Sequence, residues 1–396
     1  MEKNWVKMSD VLFFQEGPGV RNTQYTTSGV KLLNVANLVD GKVDLSTSTR
    51  YISEDEAYGK YKHFLCDAGD FVVASSGIKV EYIDKKMGFI EESMLPLCMN
   101  TSTIRFKVIN GDKLRIKYFM YYLKSQHFKE QLAKEITGSA QLNYGPSHLK
   151  KMILPLIDVS AQDEIIRCLD NIQKNIDMRR KELICFDELI RARFVEMFGD
   201  PISNPYRYDK VSLSELADIK IGPFGSLLHK EDYIEGGHAL LNPSHIVDGK
   251  ILPDDKLTIS DEKYEELSAY QLKTGDVVMG RRGEMGRCAV VPRDGFLCGT
   301  GSLLIRTKGE ITADYIQKII SFPSFKKSIE DMAVGQTMPN LNVPIVSRFQ
   351  IIKPPLEVQD RYYKFVAQVD KSKDSVQKAL DEAQLLFDSL MQQYFG

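Results

Sequence analysis

The chain has 396 residues, of which 43% are hydrophobic and 27% are charged, and its formal net charge is −2. This length predicts two or three domains, and the near-neutral charge argues against a protein that coats nucleic acid by electrostatics alone. No run of 18 apolar residues is present and residues 1–10 carry charges, so we expect neither a transmembrane helix nor a secretory signal. The six cysteines include no C-x-x-C pair, which predicts free thiols in a reducing cytoplasm and no metal site.

Short apolar runs beside turn residues predict strands in the first half of the chain, and the same pattern returns in the second half. The run at 71–74 follows a Gly-Asp turn and is typical of a buried strand, as is the run at 277–279. Apolar residues spaced three and four apart predict helical segments further along each half. The remaining predicted elements are strands at 103–108 and 303–306 and helical segments at 118–132 and 315–329.

The chain contains an internal duplication. The segment LLNVANLVDGKV at 32–43 is matched by LLNPSHIVDGKI at 240–251, with seven of the twelve positions identical. Four further pairs of segments follow in the same order, while the offset between the copies drifts between 208 and 197. A repeat of about 200 residues indicates a duplicated domain and not a solenoid, whose units are about 20–50 residues long. The predicted boundaries are domains at 1–157 and 201–355, each followed by a helix, at 158–200 and 356–396.

Each copy ends in a long helical pattern whose apolar residues alternate four and three apart, without proline. Heptad spacing of this length predicts that the two helices pair with each other as an antiparallel coiled coil. The alternative is that each helix packs on its own domain. Arg179 and Lys373 occupy seam positions, where they either fix the register or extend their charges to solvent. The predicted pairing residues are Ile165, Leu169, Ile172, Ile176, Leu183, Phe186 and Ile190 in the first helix, and Val366, Val369, Val376, Leu380, Phe387 and Leu390 in the second.

Antiparallel pairing has a geometric consequence for the two domains. It predicts an α+β chain in which two duplicated mixed α/β domains are separated by the helix pair and related by a pseudo-twofold axis. If the pair lies along B-DNA, the domains meet grooves that are one or more turns of roughly 34 Å apart. Because the two copies differ in sequence, the DNA target would be asymmetric and divided into two parts.

Three short motifs recur in both copies and carry a family resemblance. A G-x-x-x-x-N segment occurs at 138–143 and again at 335–340, and both long helices end in Phe-Gly. The second copy also has P-P-L-x-x-Q at 354–359, whereas the first copy lacks the double proline at the corresponding place. In this order and duplication, the chain resembles the specificity subunit of type I restriction–modification systems over essentially its full length.

The resemblance implies a DNA-binding subunit without catalytic residues of its own. Such a subunit joins two modification (methyltransferase) subunits and, in the complete enzyme, two motor-nuclease restriction subunits. Its target is two short half-sites that flank a non-specific spacer. The resemblance also implies that S-adenosylmethionine, ATP and magnesium bind the partner subunits, and that this chain binds no cofactor.

The residues themselves offer little catalytic chemistry. A DNA amino-methyltransferase needs an N-P-P-[YF]-like loop, and Asn242-Pro243-Ser244-His245 imitates it poorly within the duplicated framework, so we interpret this segment as structural. The six histidines show no metal-ligand spacing, and no phosphate-binding P-loop is present. We therefore predict no catalytic or metal-binding residue.

Candidate DNA contacts lie in loops where the two copies differ. The pair Arg281 and Arg282 replaces Ser75 and Ser76, and arginine binds the O6 and N7 atoms of guanine bidentately. The serines would read a base or hold a phosphate, and the alternative for the arginines is a surface turn with solvated side chains. The other candidates are Lys79 and Arg287 for phosphates, Gln141, Asn143, Gln336 and Asn340 for adenine or phosphate or as parts of a satisfied turn, and Arg21 and Lys230 beside glycine turns.

Two other classes of function compete with a DNA reader. One is a coiled-coil scaffold with two protein-binding lobes and no direct DNA contact. The other is a fused nuclease–methyltransferase, which the absent motifs argue against. DNA binding by the reconstituted assembly separates the reader from the scaffold.

Overall fold

The computed structural model describes residues 3–136, 143–284, 286–333 and 340–396. The chain forms two compact units, unit 1 with Met1–Lys181 and Gln377–Gly396 and unit 2 with Glu182–Val376. Unit 1 contains the first copy of the repeat, called lobe 1 (residues 4–156), and unit 2 contains the second, called lobe 2 (residues 210–352). In the described part of the chain, no helix is both long enough and apolar enough to span a membrane.

Lobe 1 is built from short strands and helices around two sheets. One sheet has four antiparallel strands in the order β2-β10-β7-β8, and the other has three strands in the order β6-β3-β9, in which β3 and β9 are parallel. Two-stranded pairs β1-β11 and β4-β5 complete it. The strands are β1 (Asn4–Lys7), β2 (Leu12–Glu16), β3 (Val30–Leu33), β4 (Leu38–Val39), β5 (Lys42–Val43), β6 (Tyr51–Ile52), β7 (Phe71–Ala74), β8 (Met87–Phe89), β9 (Leu97–Met99), β10 (Thr103–Val108) and β11 (Ile153–Leu156), and the helices are α1 (Met8–Val11), α2 (Glu54–Tyr58), α3 (Ile116–Lys124), α4 (Gln126–Glu135) and α5 (Pro146–Leu149).

The elements that follow are α6 (Val159–Phe198) and then lobe 2. The strands of lobe 2 are β12 (Lys210–Ser212), β13 (Ala217–Ile221), β14 (Tyr233–Ile234), β15 (His238–Leu241), β16 (Ile246–Val247), β17 (Lys250–Ile251), β18 (Thr258–Ile259), β19 (Gln271–Leu272), β20 (Val277–Gly280), β21 (Cys288–Val290), β22 (Phe296–Cys298), β23 (Ser302–Thr307) and β24 (Gln350–Ile352). Its helices are α7 (Leu213–Leu216), α8 (Asp261–Glu266), α9 (Ala313–Ile320), α10 (Pro323–Ala333) and α11 (Val343–Ser347), and α12 (Leu356–Phe395) ends the chain.

The two lobes share the topology of their four-stranded sheet and of the parallel pair in the second sheet, although that second sheet has three strands in lobe 1 and five in lobe 2, in the order β14-β18-β15-β22-β19. The antiparallel sheet β13-β23-β20-β21 of lobe 2 repeats the order of β2-β10-β7-β8, and the parallel pair β15 and β22 repeats β3 and β9. The strands predicted at 71–74 and 103–108 are β7 and β10, and those predicted at 277–279 and 303–306 lie within β20 and β23. The predicted α+β fold with a duplicated domain is thus confirmed.

A Gly-Asp turn starts an interior strand of each lobe. The glycines, Gly69 in lobe 1 and Gly275 in lobe 2, have φ angles of +86° and +85°, a left-handed conformation that glycine adopts without strain. The buried carboxylate of Asp70 pairs with Lys107 at 3.1 Å, and that of Asp276 pairs with Arg306 at 2.6 Å. Because each cation lies on the neighbouring strand, these matched ion pairs hold the start of β7 to β10 and the start of β20 to β23.

The helical segments predicted at 118–132 and 315–329 each consist of two helices. In lobe 1 the break falls at Ser125, whose backbone is extended. Its hydroxyl caps the second helix by accepting a hydrogen bond from the N–H of Phe128. In lobe 2 the second helix begins at Pro323, which has no backbone N–H to continue the first. Apolar spacing continues across both breaks because the two helices of each pair contribute to the core of the same lobe.

The two long helices α6 and α12 each have 40 residues, a length of about 60 Å at 1.5 Å per residue. In unit 1 the first half of α6 packs against the last half of α12, with Ile165 and Leu169 in the same core as Phe387. In unit 2 the last half of α6 packs against the first half of α12, with Ile190 in the same core as Val369. The helices are therefore antiparallel and paired, as predicted.

All thirteen predicted pairing residues are buried or half-buried in the structure. Of the two polar seam positions, Lys373 is half-buried and its ammonium contacts the carboxylate of Asp187 at 2.5 Å, which joins α12 to α6. Arg179 is exposed. The ion pair of Lys373 favours a role in register over a purely solvated charge.

Each long helix ends in an aromatic side chain that is buried in the lobe of its unit. Phe395, near the end of α12, lies with its ring centroid 5.1 Å from that of Tyr118 and 6.1 Å from that of Tyr122. Phe198, at the end of α6, lies 4.9 Å from Tyr315 in lobe 2. Each helix therefore ends in the lobe formed by the other copy of the repeat, so the alternative in which each helix packs on its own domain alone is wrong.

A buried glutamine fixes the first turn of each long helix. Gln162 accepts a hydrogen bond from the N–H of Arg115 at 2.8 Å, and Gln359 accepts one from the N–H of Thr312 at 3.0 Å. Each glutamine amide also donates to a carbonyl oxygen just before its own helix. These bonds satisfy the backbone N–H of the N-cap residue of α3 in lobe 1 and of α9 in lobe 2, and they fasten that lobe helix to the long helix of the same unit.

We expect Gln359→Ala to lower the free energy of unfolding by about 1–3 kcal/mol, because the half-buried N–H of Thr312 loses its acceptor and the fully buried glutamine side chain is removed. Urea unfolding followed by circular dichroism measures this loss. The control is Gln350→Ala, which removes an exposed amide from lobe 2 and should change stability by less than about 0.5 kcal/mol. Equal effects of the two substitutions would contradict the role assigned to Gln359.

Candidate nucleic-acid interface

The loops that follow β7 and β20 have the same backbone hydrogen bonds. The N–H of Ser75 donates to the carbonyl oxygen of Ser102 at 2.8 Å, and the N–H of Arg281 donates to that of Gly301 at 2.9 Å. A second bond of 3.0 Å in each lobe joins the carbonyl oxygen of the same loop residue to the segment before α5 or α11. One framework thus presents different side chains in the two lobes.

Ser75 points into lobe 1. Its side chain is fully buried, and its hydroxyl lies 3.4 Å from the carboxylate of Glu16, to which it donates. The serine would have to leave this position to reach a duplex. The burial argues against the predicted contact from Ser75.

The neighbouring polar residues of lobe 1 are more accessible. Ser76 is half-buried and its hydroxyl donates to the hydroxyl of Ser102 at 2.6 Å, while its backbone forms a bridge with exposed Asn143. Lys79 is exposed three residues further on. The structure therefore brings Ser76 and Asn143 together. Ser102 was not predicted, although it lies in a polar run between two predicted strands.

The two arginines of the lobe 2 loop differ in their surroundings. Arg281 is half-buried, and its guanidinium donates to the carbonyl oxygens of Leu341 at 3.0 Å and Thr300 at 3.5 Å. Burial, with a smaller effect from the charge of Arg282, lowers its pKa. Arg282 is exposed, and its side chain makes no hydrogen bond or ion pair to any described residue. Arg281 therefore holds the loop together, whereas Arg282 is available to a ligand.

Arg287 is engaged within lobe 2. Its guanidinium donates to the carboxylate of Glu284 at 2.9 Å and to the carbonyl oxygen of Pro243 at 3.1 Å. Hydrogen bonds from Lys326 and then from Arg287 lower the pKa of Glu284 to about 2. A phosphate would compete with a charged carboxylate for this arginine, which argues for a structural role.

The glycine turns that precede Arg21 and Lys230 bring two backbone segments very close together. A Cβ on Gly17 would lie 2.0 Å from the carbonyl oxygen of Asn100, and one on Gly222 would lie 2.0 Å from that of Gly299. Only glycine therefore fits at either position. Arg21 and Lys230 are both exposed beside short 3-10 turns.

The amide candidates are only partly described. Gln141 and Gln336 lie outside the described residues. Asn340 is half-buried, and its Oδ1 atom is buried without a hydrogen-bond partner in the described part of the chain. The contacts predicted for these residues stay predictions.

The segment beginning at Asn242 is part of the repeated framework. The N–H of Asn242 donates to Nδ1 of His245 at 3.2 Å, just as the N–H of Asn34 donates to the side-chain oxygen of Asn37 at 2.9 Å in lobe 1. This pattern supports the structural interpretation. No group of three or more His, Cys, Asp or Glu side chains is placed to hold a metal ion within the described ranges.

Comparisons with known proteins agree with this architecture. The family model described as "Type I restriction modification DNA specificity domain" matches residues 21–184 and 205–384. The specificity subunit of the type I restriction enzyme MjaVIII from Methanocaldococcus jannaschii is 26% identical over 181 residues, which cover 45% of this chain and 41% of that relative. The match thus spans less than half of the relative's length.

Two solved structures share the fold over nearly the whole chain. The S subunit of a type I restriction–modification system from M. genitalium matches with a TM-score of 0.57 and 16% identity, covering 100% of this chain and 96% of that one. A chain from a study of complex assembly in the type I R-M system matches with a TM-score of 0.60 and 16% identity, covering 99% and 97%. The two matches to the family model take up most of the chain, and the chain therefore belongs to the family of type I restriction–modification DNA specificity domains.

Proposed function

We propose that this chain is the DNA sequence-specificity subunit of a type I restriction–modification complex, in which each lobe reads one half of an asymmetric, bipartite target. The observation that carries the proposal is the duplicated loop framework with divergent side chains. The same backbone bonds hold Ser75 and Ser76 in lobe 1 and Arg281 and Arg282 in lobe 2. Two recognition lobes with the same loop backbone but different loop side chains suit a DNA target whose two halves differ in sequence.

Within lobe 2, Arg282 is the residue best suited to read a base. It is exposed and free of partners among the described residues, and its planar guanidinium matches the two acceptors on the major-groove edge of guanine. Arg281 acts through the loop, since it holds two carbonyl oxygens of neighbouring segments. Lys79 in lobe 1 and Lys230 in lobe 2 are exposed cations suited to phosphates.

The long helices set the length of the spacer between the half-sites. Each is a single uninterrupted helix that contributes to both units, as the division at residues 181–182 and 376–377 indicates. A helix of this kind transmits length without the slack of a flexible linker. The proposed boundaries of the recognition domains are 1–157 and 201–355.

The partners are double-stranded DNA, two modification subunits and the motor-nuclease subunits, in the cytoplasm. The internal duplication within the chain supports the binding of two copies of the modification subunit. Each unit also leaves apolar side chains of its long helices exposed, which supports the binding of another protein there. They include Leu385 and Leu386 in unit 1, exposed by 72% and 52%, and Ile184 in unit 2, exposed by 59%. The chain contributes no catalytic group, and S-adenosylmethionine, ATP and magnesium bind the partners.

We expect Arg282→Ala to relax one base pair of the half-site read by lobe 2, with discrimination falling by about 5- to 150-fold. The measurement is methylation of a randomised duplex library by the reconstituted methyltransferase complex, with modified sites mapped by sequencing. Arg281→Ala should instead reduce methylation of all sequences, because it loosens the loop. The control is Arg293→Ala, an exposed arginine of lobe 2 that stacks on Phe296 at 4.4 Å and lies outside the loop.

The same experiment tests the proposed function itself. A wild-type complex that neither binds DNA in a gel-shift nor methylates a defined bipartite sequence would support the protein scaffold. A defined sequence that Arg282→Ala leaves unchanged would overturn the role of this residue but not that of the chain.

A further inference from the structure

A polar groove of about 510 Å³ opens on lobe 1 beside the loop that follows β7. It is bordered by residues 46–50 before β6 and by residues 100–102 before β10, together with Tyr25 and Asn34. Serine, threonine and asparagine side chains supply most of its lining. No carboxylate is among the lining residues, and Arg50 is the only charged one.

Arg50 is exposed at the edge of this groove, and its guanidinium is held without being neutralised. Its guanidinium carbon lies 5.3 Å from the ring centroid of Tyr25, and it makes no hydrogen bond or ion pair with any described residue. Of the other three arginines of lobe 1, Arg105 pairs with Asp70 and Arg115 with Asp163, while exposed Arg21 does not line the groove. Arg50 therefore keeps all its donors for a ligand.

A hydrogen-bond network holds the tyrosine on which Arg50 stacks. The amide of Asn100 donates to the hydroxyl of Tyr25 at 3.4 Å and to the side-chain oxygen of Asn34 at 2.8 Å. Asn34 and Asn100 are both buried, and Tyr25 is half-buried. Holding the ring in place limits the conformations of Arg50 before a ligand arrives and lowers the entropic cost of binding.

The groove is continuous with the loop already described. Ser102 lines the groove, and its hydroxyl accepts from the hydroxyl of Ser76, which is bridged to Asn143. A duplex that lies on the loop would thus also meet the groove.

Lobe 2 has no counterpart of this arginine. The N–H of Leu32 donates to the carbonyl oxygen of Arg50 at 2.9 Å, and the equivalent bond in lobe 2 runs from Leu240 to Leu257 at 3.0 Å. Leu257 therefore occupies the position of Arg50. Since the lobes differ here in charge as well as shape, the groove is a feature of one half-site reader only.

We propose that Arg50 is a specificity-determining residue of lobe 1, which donates two hydrogen bonds to the major-groove edge of a guanine while it stacks on Tyr25. The guanidinium has the fork geometry for the O6 and N7 acceptors, and the groove holds no carboxylate that would compete for it. The proposal rests on the proposed function, because it assigns one base contact to a chain that reads DNA.

The test is methylation of the randomised library by complexes that contain Arg50→Ala or Arg50→Lys. Lysine keeps the charge but lacks the fork, so both variants should lose discrimination at one base pair of the lobe 1 half-site by about 5- to 150-fold. The lobe 2 half-site should stay as in the wild type. The matched control is Lys60→Ala, another exposed cation of lobe 1, which stacks on Tyr61 at 4.9 Å outside the groove.

Three results would overturn the proposal. The first is an unchanged consensus with both variants, and the second is a uniform loss of methylation on all sequences with a weaker salt dependence, which indicates a phosphate contact. The third is rescue of full discrimination by Arg50→Lys. In each case a defined wild-type consensus would leave the proposed function intact, whereas a wild-type complex without any consensus would count against the function itself. Thermal unfolding of each variant confirms that the chain is folded.

Discussion

Replacing Phe395 with alanine is expected to lower the free energy of unfolding by about 3–5 kcal/mol, although it is the penultimate residue of the chain. The ring is fully buried between aromatic side chains of lobe 1, and removing it leaves a cavity beside Tyr118 and Tyr122. Phe198→Ala should have a similar cost in unit 2, where the ring contacts Tyr315 and Tyr362.

Urea unfolding of Phe395→Ala can be followed by the fluorescence of Trp5, the single tryptophan of the chain. Its ring lies 4.7 Å from that of His127 in lobe 1, so its signal reports on unit 1. The control is Leu385→Ala, since Leu385 lies on the same helix but is 72% exposed. A shift of the unfolding midpoint no larger than that of the control would show that the end of α12 is not anchored.

The burial of these two phenylalanines gives the Phe-Gly motif a structural role that the sequence alone does not reveal. In the sequence, Phe198 follows the first copy of the repeat and Phe395 ends the second, so both resemble the ends of their own domains. In the structure each phenylalanine completes the core of the other copy's lobe. Sequence order cannot predict this exchange, because it depends on the antiparallel pairing of two helices far apart in the chain.

The framework of the lobes is largely predictable from the sequence. The period-two and heptad patterns reflect burial on one face, and burial is shared by both copies, so the duplication reinforces each weak signal. The strands β7, β10, β20 and β23 were found in this way. The breaks within the lobe helices were missed because apolar spacing continues through Ser125 and Pro323.

The candidate contacts were less predictable, because their availability depends on tertiary partners. Arg281, Arg282 and Arg287 look alike in the sequence, yet Arg281 binds two carbonyl oxygens and Arg287 binds Glu284. Nothing in the sequence around Arg50 predicts a DNA contact, because the residue that positions its guanidinium is Tyr25, which lies 25 positions earlier in the chain. Loop chemistry alone does not separate a structural arginine from a free one.

Lengthening both long helices by one heptad is expected to lengthen the DNA spacer while both half-sites are kept. The variant duplicates residues 176–182 in α6 and residues 376–382 in α12, close to the division between the units. Seven residues preserve the phase of the seam to within about 20°. They add about 10 Å to each helix, which corresponds to a longer spacer by at most about three base pairs.

Mapping the methylated sites of the variant complex measures the new spacer directly. The control duplicates residues 176–182 alone, which places the buried positions of α6 out of register with α12, displaces the ion pair between Lys373 and Asp187, and should destabilise the chain. A folded double variant that methylates the original sequence with the original spacer would refute the spacing role of the helices. The insertion changes the helices and leaves every loop residue as it was. Two intact half-sites at a longer separation would therefore show that recognition is local to each lobe. They would also show that the helices set the distance between the half-sites.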